Sequence, residues 1–144
     1  MDKKINLVYL GLGSNLGQKK RNLQDAINLI TSEIGPVKEC SAYYYSKPDG
    51  FSSKNEFVNL VVKVETTLAA FDLLDATEAI ERSLGRSDKS CGVYKDRKID
   101  IDILFFNDEK INTERLVIPH PLIFFRDYVR GPLLEIMNER APLD

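Results

Sequence analysis

The sequence predicts an α+β domain, with helices over one face of a mostly antiparallel sheet, and three observations lead there. Apolar runs rich in Val, Ile, Tyr and Phe recur at 5–11, 37–46, 57–66 and 98–106 and read as strands. Two intervening segments, 20–33 and 71–84, space their apolar residues three and four apart, the period of a helix. The order is then strand, helix, strand, strand, helix, strand, the split β-α-β-β-α-β pattern of ferredoxin-like folds. Helices cover one face of such a sheet, and the other is expected to be free for a site. At 144 residues the chain is long enough for a core of its own, and a single domain over 1–144 is expected.

Composition narrows the class. A chain that is 43% hydrophobic and 29% charged with net charge −2 is an ordinary soluble globular sequence, without the basic excess of a nucleic-acid or membrane-surface binder. Cys40 and Cys91 make no disulfide framework and no metal-ligand spacing, which suits a reducing compartment. The N-terminal apolar run is short, interrupted by Asn6 and followed by Gln18-Lys19-Lys20-Arg21 rather than a cleavage site, unlike a signal peptide. No apolar stretch approaches the roughly 20 residues needed to span a bilayer. A cytoplasmic monomer is the expectation.

The elements follow in order. Ile5 to Gly11 reads as a buried strand, and Gly11 to Gly17 as a glycine-rich turn, since glycine takes backbone conformations closed to other residues. Lys20 to Glu33 is helical, with Leu23, Ile27, Ile30 and Ile34 on one face and Gly35-Pro36 as its stop. Val37 to Ser46 is a tyrosine-rich strand. Lys47 to Glu56 is a polar, aperiodic loop, long enough to suspect a function. Phe57 to Thr66 is a strand, and Phe71 to Leu84 a helix ended by Gly85. A second polar loop, Arg86 to Arg97, leads to the strand ending at Phe106. Asn107-Asp108 then turns into Lys110-Ile111-Asn112 as a hairpin. Leu116-Val117-Ile118 is short, and a last helix begins near Phe124, where Gly131-Pro132 should kink or restart it.

The chemistry concentrates at Ile99-Asp100-Ile101-Asp102-Ile103. Aspartate is a poor strand former, and residues two apart share a face at roughly 7 Å. Such a pair suits divalent ions, as in two-metal phosphoryl-transfer sites; a solvated, aggregation-resistant edge strand would look the same. His120, the only histidine, is fixed between Pro119 and Pro121, which suits a phosphate ligand or proton carrier. Arg97 and Arg126 are candidate phosphate clamps. Phe57 and Asn59 share a strand face and pair a flat ring with an amide, a means of gripping a planar heterocycle. Gly11-Leu12-Gly13-Ser14-Asn15 is either a structural turn or an anion cradle; it fits neither the dinucleotide fingerprint nor a P-loop.

Taken together, Gly13-Ser14-Asn15-Leu16, Phe57-Val58-Asn59, Ile80-Glu81 with Gly85-Arg86, Arg97 to Leu104, Asn112 to Leu116, Pro119-His120-Pro121, Arg126 and Pro132 to Ile136 occur in a recognisable order. The chain resembles the 6-hydroxymethyl-7,8-dihydropterin pyrophosphokinase family over nearly its whole length. The resemblance implies Mg²⁺-dependent pyrophosphoryl transfer from ATP to a pterin hydroxymethyl group, releasing AMP, in folate biosynthesis. It implies two Mg²⁺ ions on Asp100 and Asp102, a pterin ring between Phe57 and Tyr128 with Asn59 at its edge, and ATP contacts at Glu81, Arg97, Ile103, Arg115, His120 and Arg126. The expected catalytic set is Arg97, Asp100, Asp102 and His120. The two loops would match segments that close over the substrates.

One stretch departs from the pattern. The family usually has an Arg-Trp-Gly-Pro run before the arginine matched by Arg97, where this chain has Val93-Tyr94-Lys95-Asp96. Lys89 or Lys95 can supply charge but not a bidentate fork, so loop closure and turnover are what the change touches. A non-catalytic pterin- or nucleotide-binding relative is therefore the alternative reading. A polymerase-β-type nucleotidyltransferase also combines Gly-Ser with Asp-x-Asp, but close together in sequence, whereas Ser14 and Asp100 lie 86 positions apart.

Overall fold

The computed structural model describes residues 4–47, 56–85, 97–121 and 123–138. In chain order these form β1 (Asn6–Ser14), α1 (Lys19–Glu33), β2 (Val37–Cys40), β3 (Tyr44–Ser46), β4 (Phe57–Thr66), α2 (Ala70–Ser83), β5 (Asp100–Phe106), β6 (Ile111–Asn112), β7 (Val117–Ile118), a 3-10 turn (Ile123–Phe125) and α3 (Asp127–Asn138). The main sheet runs β2-β4-β1-β5, antiparallel at every pairing, with β3 also bonded to β4. Of the two expected polar loops, 47–56 and 86–97, residues 48–55 and 86–96 lie outside the described residues, as does Cys91; Cys40 is a free thiol. No described helix is long and apolar enough to cross a membrane.

Alternation in the strands builds the main core. Val8, Leu10 and Leu12 of β1, Val58, Leu60, Val62 and Val64 of β4, and Ile101 and Ile103 of β5 all face α1 and α2. They meet Leu23, Ala26 and Ile30 of α1 and Leu73, Leu74 and Ile80 of α2. Each such side chain contributes about 1.5–3 kcal/mol on burial, which outweighs the fraction of a kcal/mol that Val and Ile forgo in propensity elsewhere.

The opposite face is not free, as expected from sequence, but half covered. Val61, Leu104, Ile123, Leu133 and Ile136 make a second small core there, flanked by Tyr9, Phe105 and Val129. Leu104 falls on this face by alternation with Asp100 and Asp102; the extra residue that β5 carries between its Leu10 and Tyr9 pairings puts Phe105 there too and returns Phe106 to the main core. The half left uncovered holds the candidate site.

Four local expectations need correction. The glycine-rich run does not turn the chain at Gly11: β1 continues through Gly13 to Ser14, and only Gly17, at φ 67°, takes a left-handed conformation. The expected strand 37–46 is broken at 41–43, where Ser41 N–H still donates to Val61 O at 2.9 Å but side chains take over other ladder bonds. Val61 N–H donates to Ser41 Oγ at 3.0 Å and Ala42 N–H to Glu135 Oε2 at 3.0 Å. The expected hairpin partner of β5 pairs elsewhere, β6 bonding β7 through Ile111↔Ile118. Finally, α3 starts at Asp127 and runs through Gly131-Pro132 unbroken. Gly131 lies against the Tyr44 ring, where a Cβ would come within 2.9 Å of Cε2, so this helix turn is held by packing.

Tyr44 is the other half of that dock, its hydroxyl donating to Glu135 Oε1 at 3.1 Å. Tyr44→Phe is expected to cost about 1 kcal/mol in denaturant unfolding. Burial, then Glu135, raises the phenol above its usual value of 10.0. The protonated phenol is the donor, so the contact is intact below about pH 10 and fades as pH rises through the raised folded value. Gly35 is under tighter constraint: a Cβ there would lie 1.9 Å from the Glu65 carbonyl oxygen. Gly35→Ala is expected to lower stability by about 3 kcal/mol, the upper end for overpacking, read as a drop in Tm.

Candidate active site

The uncovered half of the sheet forms a pocket whose floor is β1. Its lining includes Gly11 and Gly13 of β1, Phe57 and Asn59 of β4, Asp100 and Asp102 of β5, and Arg97, His120, Arg126 and Tyr128 around the rim. Register explains the gathering. Gly13 pairs with Asn59 on one side and Asp100 on the other, and Gly11 with Val61 and Asp102. The missing side chains make the floor, and at Gly13 a Cβ would lie only 2.8 Å from Asn59 Oδ1. Sequence reasoning missed this function of the glycines. The period-two run Leu10-Gly11-Leu12-Gly13, apolar on alternate positions, was the available signal.

One side of the floor is charged. Asp100 and Asp102 project into the pocket with about a quarter to a third of each side chain exposed, 26% and 32%. Arg97 Nη1 donates to Asp100 Oδ1 at 3.4 Å, and His120 Nε2 lies 4.0 Å from Asp102 Oδ1. The His120 backbone is tied to the sheet: its N–H donates to Leu104 O at 3.0 Å, and its carbonyl accepts from Ile123 N–H at 3.3 Å. The Ile118–Pro119 peptide before it is cis.

The other side is aromatic. Phe57 and Tyr128 both line it, with the Arg126 guanidinium 5.8 Å from the Tyr128 ring centroid. Asn59 Nδ2 donates to Tyr44 O at 3.3 Å and Ser46 Oγ at 3.0 Å. The amide is thereby held with Oδ1 over the Gly13 floor, as an acceptor.

Three residues expected at the site do not line this pocket. Glu81 is 2% exposed, and its Oε2 accepts the Ile101 N–H at 2.7 Å. It thus satisfies one backbone donor on the outer edge of β5, where no further strand pairs among the described residues. The Ile103 side chain belongs to the main core. Arg115 is half exposed and ion-paired with Asp75 and Glu78 of α2.

Among the described residues, no group of three or more His, Cys, Asp or Glu is arranged to hold a metal. Two carboxylates with hard oxygen donors are nevertheless the set that suits Mg²⁺, which keeps waters and takes its remaining ligands from substrate phosphates. They do not suit zinc, which takes a fuller complement of nitrogen and sulfur ligands.

Residues 9–138 match the profile of the 7,8-dihydro-6-hydroxymethylpterin-pyrophosphokinase (HPPK) family. A 2-amino-4-hydroxy-6-hydroxymethyldihydropteridine pyrophosphokinase from Porphyromonas gingivalis is 43% identical over 141 residues, spanning 94% of this chain and 96% of that one. The Bacillus subtilis protein of the same name is 37% identical, over 93% of this chain and 80% of its own. A crystal structure of a Plasmodium falciparum HPPK-DHPS variant shares the fold, with a TM-score of 0.74 at 18% identity, covering 94% of this chain but 42% of that longer one. The antiparallel sheet with its helices is accordingly the ferredoxin-like arrangement expected from the element order. A family profile over most of the chain and a 43% identical relative of matching length place this chain in the 7,8-dihydro-6-hydroxymethylpterin-pyrophosphokinase family.

Proposed function

We propose that the chain transfers pyrophosphate from ATP to 6-hydroxymethyl-7,8-dihydropterin, giving AMP and the pterin diphosphate, a step of folate biosynthesis. One observation supports this most: a single pocket joins a two-carboxylate face flanked by cations to an aromatic face with a fixed amide acceptor, across a floor of two glycines.

In this reading Phe57 and Tyr128 sandwich the pterin and Asn59 Oδ1 accepts from a ring N–H. Arg97, His120 and Arg126 bind phosphate oxygens and offset their charge. Asp100 and Asp102 would hold two Mg²⁺ ions, which when bound neutralise charge on the ATP phosphates. The pterin hydroxyl oxygen forms its bond to the β-phosphorus and gives up its proton to solvent, and the bond from that phosphorus to the oxygen bridging to the α-phosphorus breaks, AMP keeping the electron pair. Such a reaction needs positioning and charge neutralisation more than covalent help from the protein. Glu81 contributes by holding β5 at Ile101. Any ATP contact at Ile103 runs through its backbone, because its side chain is in the core. For Arg115 to reach ATP, its guanidinium exchanges Asp75 and Glu78 for phosphate. We take the working unit to be a monomer.

The test is AMP release from ATP with hydroxymethyldihydropterin and Mg²⁺. AMP and pterin diphosphate in equal amounts are expected. Binding of both substrates without AMP would favour the non-catalytic alternative, which the altered Val93-Tyr94-Lys95-Asp96 stretch motivates.

A further inference from the structure

We propose that Asn15 is a positioning residue for the phosphate side of the pocket, acting through Arg97; the proposal rests on the pyrophosphokinase reading. Asn15 lies directly after β1, is fully buried and does not line the pocket. It grips the backbone of Arg97, 82 residues away, at two points. Asn15 N–H donates to Arg97 O at 2.9 Å, and Asn15 Oδ1 accepts from Arg97 N–H at 2.5 Å.

The clamp matters because of where Arg97 stands. β5 begins only at Asp100, so the Arg97 backbone is outside the ladder that orders the rest of the strand. Fixing its N–H and its carbonyl leaves the residue little freedom, and its side chain, 16% exposed, then reaches Asp100 at 3.4 Å. Asn15 is itself held in place. Asn22 of α1, buried to 5% exposure, donates through Nδ2 to Ser14 Oγ at 3.2 Å and to Leu16 O at 2.8 Å, on either side of Asn15. The path runs from α1 through the β1–α1 corner to the guanidinium. A displacement of about 1 Å in a charge-stabilising group can cost on the order of 100-fold in rate.

A double-mutant cycle on the full chain tests this, with Asn15→Ala, Arg97→Ala and both together. The readouts are kcat and KM for ATP, MgATP affinity by calorimetry, and pterin affinity by fluorescence titration. Asn15→Ala is expected to lower kcat/KM for ATP roughly 10- to 100-fold, with pterin affinity within about threefold of wild type. In the Arg97→Ala background it is expected to add little, since residues acting through one group are not additive. Asn15→Asp, which keeps the acceptor for the Arg97 N–H, is expected to recover most of the loss. If Asn15→Ala does not fold, Asn15→Ser, whose hydroxyl falls short of that N–H, takes its place in the cycle. Independent effects of the two substitutions, an equal loss of pterin affinity, or no recovery in Asn15→Asp would each overturn the proposal. A wild type that binds MgATP but makes no AMP would reject the pyrophosphokinase reading instead, and the same cycle in MgATP affinity would then decide the role of Asn15.

Discussion

Asp100→Ala and Asp102→Ala are each expected to lower turnover by on the order of 1000-fold, from about 4 kcal/mol of lost transition-state stabilisation, while leaving pterin affinity nearly unchanged. The carboxylates lie on the charged side of the Gly11–Gly13 floor, and Phe57, Asn59 and Tyr128, the groups proposed to hold the pterin, on the other. Both aspartates project into the pocket rather than the core, so the fold should tolerate their removal; isoleucine at 99, 101 and 103 does the packing. Loss of Asp100 also leaves the Arg97 guanidinium without its 3.4 Å carboxylate partner, which should weaken MgATP binding further. The measurements are steady-state AMP formation and pterin fluorescence titration on the folded variants. Turnover within tenfold of wild type would remove the metal role. Loss of pterin affinity in both would mean the two sides of the pocket have been assigned to the wrong ligands.

The second large effect is expected from a single methyl group. Gly13→Ala places a Cβ 2.8 Å from Asn59 Oδ1 and 3.5 Å from Phe57 Cδ1. Asn59 cannot simply swing away, because its amide is held by Tyr44 O and Ser46 Oγ. Relief requires breaking those bonds or separating β1 from β4, at a cost of about 1–3 kcal/mol. Pterin affinity should fall roughly 5- to 140-fold, the equivalent of that cost at tenfold per 1.4 kcal/mol, with a smaller change for MgATP. Gly11→Ala is the control: its Cβ would meet only the tip of Leu104, at 3.4 Å from Cδ2, a side chain able to give by a few tenths of an ångström. Equal losses in the two variants would show that the floor does not work by close approach at Asn59.

Much of this was legible in the residues, for reasons that differ by element. Phe57–Thr66 and the two long helices announce themselves through periodicity sustained over many residues, and the structure places them within about a residue of the expected ends. Asp100 and Asp102 stood out because acid alternates with isoleucine against strand propensity. His120 stood out through its flanking prolines. The failures share a cause: each depends on something distant in sequence. Glycine at 11 and 13 reads as a turn until β4 and β5 are seen on either side of β1. The break at Ser41 arises because a serine hydroxyl and Glu135, 93 residues from Ala42, take over ladder bonds. The uninterrupted Gly131-Pro132 helix packs its glycine against the Tyr44 ring, a residue far away in sequence. Glu81, Ile103, Arg115 and Tyr128 entered the candidate set only through the family resemblance. Of these, Glu81 carries a contact that local pattern could not reveal, its hydrogen bond to Ile101. The Asn15–Arg97 clamp spans 82 positions, and no periodicity encodes it.

In the proposed arrangement one pocket holds metal-bound ATP over Asp100 and Asp102 and the pterin over Phe57, Asn59 and Tyr128. A crystal structure with a non-hydrolysable ATP analogue, Mg²⁺ and hydroxymethyldihydropterin tests it most directly. The expected result is metal density on both aspartates, phosphates against Arg97, His120 and Arg126, and the pterin ring between Phe57 and Tyr128 with Asn59 Oδ1 at its edge. Nucleotide or metal bound away from Asp100 and Asp102, with the glycine floor empty, would contradict it.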